Sequence, residues 1–163
     1  MQECILHKKF EPLEKTVKIT LACDHAAYDF KTKLISILEE QGHTVTDHGC
    51  SGNESCDYPD FGIPAAEAVS TGDADRALLI CNNGIGMSIL ANKIRGIVAA
   101  LVYSEETAKM TRRHHNSNVL CLGAQQFSEE DLLTFIDAWL KEEFEGGRHS
   151  RRIGKATDLE SNW

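Results

Sequence analysis

The stretch Arg76-Ala-Leu-Leu-Ile-Cys-Asn-Asn-Gly-Ile-Gly-Met-Ser-Ile-Leu-Ala-Asn92 gathers residue types that could do chemistry together. Cys81 supplies a thiol, which acts as nucleophile, acid or base according to what surrounds it. Gly84 and Gly86 permit positive φ and close backbone approach, and Asn82 and Asn83 tolerate left-handed geometry. The unbroken apolar run Ala77 to Cys81 suits a strand buried on both faces. After Gly86, residues Met87, Ile89, Leu90 and Ala91 resume at helical spacing. Strand, glycine-rich turn and helix in succession aim backbone N–H groups, and the positive end of a helix, at whatever lies beside Cys81. The thiol also has a plainer reading, as a small buried hydrophobe that closes a strand.

Other reactive side chains need a scaffold to reach that turn, and the chain provides one in alternating pieces. Val17 to Ala22 forms a first strand that ends in Cys23-Asp24-His25. A helix from Tyr28 to Gln41, stopped by Gly42, leads to a short strand Thr44–Asp47. The loop Gly49 to Asp57 follows, and Tyr58-Pro59-Asp60 opens a helix that runs to about Thr71. The third strand is Ala77–Cys81 and the fourth lies in Ile97–Val102. Ser104 can cap a helix through His114, with Glu105 and Glu106 in its first turn. Val119–Leu122 is the fifth strand, and Ser128-Glu-Glu-Asp131 opens a last amphipathic helix. Residues 1–16 read as an N-terminal extension, 17–145 as one α/β domain, and 146–163 as a polar, basic C-terminal tail.

Such alternation predicts a three-layer αβα sandwich around a five-stranded parallel sheet, Rossmann-like, with the common strand order 2-1-3-4-5. Ligands in these sheets bind at the carboxyl ends of the strands beside the topological switch, between strands one and three. Those ends are Asp24-His25 and Cys81-Asn82-Asn83. Plain structural roles stand beside the functional ones. Asp24 could cap a helix, His114 and His115 could complement a helix dipole, and Arg148 to Arg152 could be a solvated tail.

Composition narrows the function. At 163 residues, 42% hydrophobic, 26% charged and with net charge −8, the chain suits a single acidic globular domain. That balance argues against a general nucleic-acid or anionic-membrane surface. No apolar segment approaches membrane-spanning length, and the N-terminus lacks the apolar core of a signal peptide. The six cysteines form no C-x-x-C pair, which fits reduced thiols in the cytoplasm. His48, Cys50 and Cys56 match no common zinc-finger spacing, and no set of ligating residues has convincing spacing, so neither metal nor cofactor is expected.

With both strand ends in view, the chain resembles the type B ribose-5-phosphate isomerases, a family that includes the galactose-6-phosphate isomerase subunits. The matching pieces run in order from Cys23-Asp-His25 through Asp57-Tyr-Pro59, Ala74-Asp75, Cys81 with Gly84-Ile-Gly-Met-Ser88, and Ala91-Asn-Lys93. They continue with His114, Asn118-Val-Leu120, and Gly146-Gly-Arg-His149 with Arg152. The resemblance implies a metal-free aldose–ketose isomerase acting on a sugar phosphate through an enediolate. On that reading Cys81 moves the proton, residues Asn83 to Ser88, with Gly84 and Gly86, cradle the oxyanion, and His114 helps open the ring. Asp24 and Tyr58 orient hydroxyls, and His25 meets the phosphate with Arg148 and Arg152 of a second subunit. A homodimer is implied, with the pairing of dimers left open.

Four positions depart from the family's usual residues. Asn82 and Asn83 replace Gly and Thr, His115 replaces Asn, and Gln125 replaces an arginine that helps bind phosphate. They leave the isomerase class in place and put the sugar in question. The first choice is ribose 5-phosphate to ribulose 5-phosphate, as in the pentose phosphate pathway. The alternatives are allose or galactose 6-phosphate, a tetrose phosphate, or a non-catalytic sugar-phosphate-binding paralogue. A cysteine phosphatase loop is ruled against, because Met87 stands where that loop needs an arginine to clamp phosphate.

Overall fold

Long apolar runs become the middle of a sheet, and short polar ones its edges. The computed structural model describes residues 15–162. They run β1 (Lys18–Cys23), a 3-10 turn (His25–Ala27), α1 (Tyr28–Glu40), β2 (Thr44–Asp47), α2 (Pro59–Ser70) and β3 (Arg76–Cys81). Then follow α3 (Ile85–Ala91), β4 (Ala99–Leu101), α4 (Glu105–His115), β5 (Val119–Gly123), α5 (Glu129–Lys141), α6 (Arg148–Thr157) and a closing 3-10 turn (Asp158–Asn162). All five strands are parallel, in the α/β arrangement expected. The N-terminal extension lies almost wholly outside the described residues.

Strand order corrects the expectation. The sheet reads β2-β1-β3-β5-β4, not 2-1-3-4-5. Burial accounts for it: all five residues of β5 are buried, whereas β4 has only three, each half-exposed. A strand buried on both faces takes a central place and the short one takes the edge. Val119 to Gly123 therefore pair directly with Ala77 to Cys81. The loop that follows β5 thus stands next to Cys81 rather than one strand away.

Alternation along β3 decides which way Cys81 faces. Leu78 and Ile80 pack into the layer that holds Phe30, Leu34, Leu132, Ile136 and Trp139, from α1 and α5. Ala77, Leu79 and Cys81 face the opposite layer, with Ala65 and Ala66 of α2 and Met87 and Ala91 of α3. Small residues dominate that second layer, so α2 and α3 approach the sheet closely. Tyr58, at the start of α2, and the turn into α3 are thereby brought to the face that carries the thiol.

The polar C-terminal stretch is largely helical: Arg148–Thr157 forms α6. Its buried residue is His149, and half-buried Ile153 and Thr157 follow at helical spacing. Polar residues elsewhere hide that narrow stripe from a hydrophobicity reading. The segment before it is pinned by bonds to α4: Glu145 N–H donates to Arg113 O at 3.0 Å, and the Arg113 guanidinium forks onto Glu142 at 2.7 and 2.8 Å. Trp139, fully buried, donates from Nε1 to Ser117 Oγ at 2.8 Å, and Arg112 donates to Ser117 O. The end of α4 is therefore held rigidly between α5 and α6.

Candidate active site

Cys81 ends β3 almost completely buried, and the chain turns immediately so that Gly84 N–H donates to its sulfur at 3.1 Å. The turn works only with glycine at 84. Its φ is +76°, and a Cβ there would come within 2.5 Å of Leu101 and 2.9 Å of the Leu122 backbone. Asn83 Oδ1 accepts from Ile85 N–H at 3.0 Å and lies 4.0 Å from the thiol. Its carboxamide thus occupies one unpaired N–H at the start of α3. The N–H groups of Gly86 and Met87, in the first helical turn, have no intrahelical carbonyl to bond and remain available as donors. Ser88 Oγ donates to Ile85 O at 2.8 Å, which leaves its oxygen free to accept.

Asp24 lies beside this turn because its N–H donates to Ile80 O at 3.1 Å, continuing the β1–β3 pairing. One carboxylate oxygen caps the 3-10 turn by accepting from Ala26 N–H at 3.0 Å. His25 follows, half-buried, with Nδ1 accepting from Cys56 N–H at 3.4 Å. Tyr58 lies across Gly86: a Cβ on Gly86 would meet the tyrosine Cζ at 2.7 Å and its oxygen at 2.9 Å. Asn82 is exposed and its carbonyl accepts from Gln125 N–H at 3.0 Å, while Gln125 Nε2 reaches Ala26 O at 3.4 Å. Asp24, His25, Tyr58, Cys81, Asn82, Asn83, Gly84, Gly86, Ser88 and Gln125 therefore share one rim of the sheet.

The remaining candidates stand elsewhere. His114 and His115 lie in the last turn of α4, just before β5 begins at Val119, and Val119 pairs with Ala77 near the start of β3. They belong to the rim opposite Cys81, roughly 16 Å away along a six-residue strand. Arg148 is on that rim too, and its Nε lies 3.5 Å from His149 Nε2. Arg152 is one turn further along α6, and both arginines are exposed. The rings of His114 and His149 stack at 4.2 Å with planes 5° apart. Glu145 Oε2 lies 3.9 Å from His114 Nε2 and 3.6 Å from His149 Nε2.

Thiol environments separate the cysteines. Burial pushes Cys23 up to about 12 and raises Cys121 as well, so both stay protonated near neutral pH and neither serves as a base. Cys81, by contrast, receives a backbone N–H on sulfur at the mouth of the cleft. Of the trio His48, Cys50 and Cys56, Cys50 lies against Cys23 at 3.9 Å while Cys56 turns to His25 at 3.9 Å. Glu145 carried no sequence signal. His149 stood within a matched motif but without a role, because its partners become visible only once α4 and α6 pack.

A family model described as Ribose/Galactose Isomerase matches residues 19–156. The chain belongs to this family. Ribose-5-phosphate isomerase B of Escherichia coli is 38% identical over 143 residues, spanning 88% of this chain and 96% of that protein. The solved ribose-5-phosphate isomerase B of Clostridium thermocellum superposes with a TM-score of 0.87 at 44% identity, over 89% of this chain and 98% of that one. The enzyme of Mycoplasma genitalium, solved with bound ribulose-5-phosphate, gives 0.85 at 37% identity over 93% and 99%. As a member of the ribose/galactose isomerases, the chain is an aldose–ketose isomerase of sugar phosphates. Among the described residues, no helix is long and apolar enough to cross a membrane.

Proposed function

We propose that this isomerase interconverts ribose 5-phosphate and ribulose 5-phosphate through an enediolate, with Cys81 as the proton carrier. The observation that carries the reading is the Gly84 N–H aimed at Cys81 Sγ at 3.1 Å, within a turn whose next N–H groups lack intrahelical partners. The thiolate takes the proton from C2 of the open-chain aldose as electron density moves onto the C1 oxygen; a proton passes from the C2 hydroxyl to the C1 oxygen, and the thiol returns its proton to C1 as the C2 carbonyl forms. Gly86 and Met87 N–H are suited to the C1 oxygen, since preorganised donors need not reorient as charge develops. Asp24 and Tyr58 orient hydroxyls, Asn82 borders the cleft, and His25 meets the phosphate.

The site is completed by a second subunit. One chain cannot bring its own His114, His115, Arg148 or Arg152 across the sheet to Cys81, yet all four gather on one rim. A twofold dimer would lay that rim over the partner's cleft, where the partner subunit's His114 opens the ring and the partner's Arg148 and the partner's Arg152 neutralise phosphate. Ile85 and Ile89, on one face of α3 right beside the cleft, are about half exposed and support burial there by another chain.

Cys81→Ser tests the proton carrier. The hydroxyl preserves the shape but is a far weaker acid, so isomerisation should collapse while sugar-phosphate binding persists. Turnover near that of the natural chain would remove Cys81 from the mechanism. The same assay run across pentose and hexose phosphates identifies the preferred sugar.

A further inference from the structure

His114, Glu145 and His149 come from the last turn of α4, the α5–α6 link and the first turn of α6, and their ligand atoms lie within 4.8 Å of one another. We propose that these three side chains form a site for a divalent zinc-class ion, and that its occupancy inhibits the isomerase. Two imidazoles and one carboxylate with an open fourth position is a donor set that Zn2+ accepts. Tetrahedral bonds of about 2.0–2.1 Å put neighbouring ligand atoms about 3.3–3.4 Å apart. The carboxylate-to-imidazole separations of 3.9 and 3.6 Å need only a few tenths of an ångström of closure. The two rings must also splay from their 5° stacking to point at one ion. His114, with 27% of its side chain exposed, has room to turn.

The lone pairs are available. Arg148 Nε–H donates towards His149 Nε2, which marks that nitrogen as the unprotonated one. Glu145 is held at its backbone by the bond to Arg113 O, so its carboxylate stays within reach of both rings.

Inhibition rests on the function proposed above. An ion on this cluster takes His114 out of ring opening and displaces Arg148 from His149. The partner's substrate cleft faces the same surface, so zinc and sugar phosphate should compete.

Chelator-treated full-length protein is titrated with Zn2+ by calorimetry and with Co2+ by visible absorption, alongside isomerase assays. The expected result is one Zn2+ per chain and a Co2+ spectrum without a thiolate charge-transfer band. Glu145→Gln and His149→Asn should each weaken Zn2+ binding about tenfold or more, as loss of one of three protein ligands requires. Glu145→Gln should keep its zinc-free activity and need correspondingly more zinc for half-inhibition. Unchanged zinc affinity in Glu145→Gln, or a thiolate band showing the ion on a cysteine, overturns the proposal. Binding with the stated dependence but no effect on turnover would overturn the inhibitory role.

Discussion

Gly86→Ala places one methyl group against the Tyr58 ring. Gly86 has ordinary backbone geometry, so the change carries no φ penalty, and its whole effect passes through Tyr58. The new Cβ would stand 2.7 Å from Tyr58 Cζ and 2.9 Å from its oxygen. Ordinary contact begins at 3.4 Å, so the ring must retreat by about 0.7 Å. Tyr58 is half-buried at the start of α2, where it can swing outward, so the stability cost falls near the low end of overpacking, about 1 kcal/mol. For a domain of this size that corresponds to roughly 2–4 °C in Tm. Positioning is less forgiving: catalytic groups need about 0.5 Å precision, and misplacement near 1 Å costs up to about a hundredfold. Gly86→Ala should therefore lower kcat/KM roughly ten- to hundredfold while Tm barely moves, read by aldose–ketose interconversion and thermal melting. A variant that keeps kcat/KM within about threefold would show that Tyr58 does not orient the substrate from this position.

Three further outcomes follow from the same geometry. Mixing Cys81→Ser chains with Arg148→Ala chains under verified subunit exchange should restore about a quarter of natural activity, since half the dimers are hybrid and each has one intact site; no recovery would reject the shared site. Gln125→Arg should tighten phosphate binding roughly ten- to hundredfold by adding a charged, forked donor beside His25; unchanged affinity would mean that position 125 does not face the phosphate. Burial holds the His43 imidazole below its usual value, with Nδ1 accepting from Val17 N–H at 3.2 Å. The unfolded chain then binds more protons below about pH 6.5, so stability falls as pH drops through that value until the folded ring also titrates. His43→Gln should flatten this slope in melts between neutral and mildly acidic pH, and an identical slope would assign it to other groups.

Cys81, Gly84 and Gly86 were legible as a candidate site because local chemistry and local backbone coincide there. An apolar run must end before a glycine-rich turn, and the turn's donors necessarily point at the residue that closes the strand. Alternation of strands and helices likewise dictated a parallel sheet, since no other packing buries both kinds of apolar face. Strand order was not legible in that way. Whether β4 or β5 lies beside β3 depends on the burial of five residues against three, a comparison made only when the layers close. Helix α6 escaped for a related reason: its stripe of His149, Ile153 and Thr157 is apolar only against α4 and its neighbours. The grouping of His114 with Glu145, His149 and Arg148, away from Cys81, is also tertiary. Residues 31 or more positions apart meet there because Arg113, Ser117 and Trp139 tie three helix ends together. Residue types along the chain determined what chemistry was available; the packing of helix ends decided which of those residues one chain can bring to its own thiol.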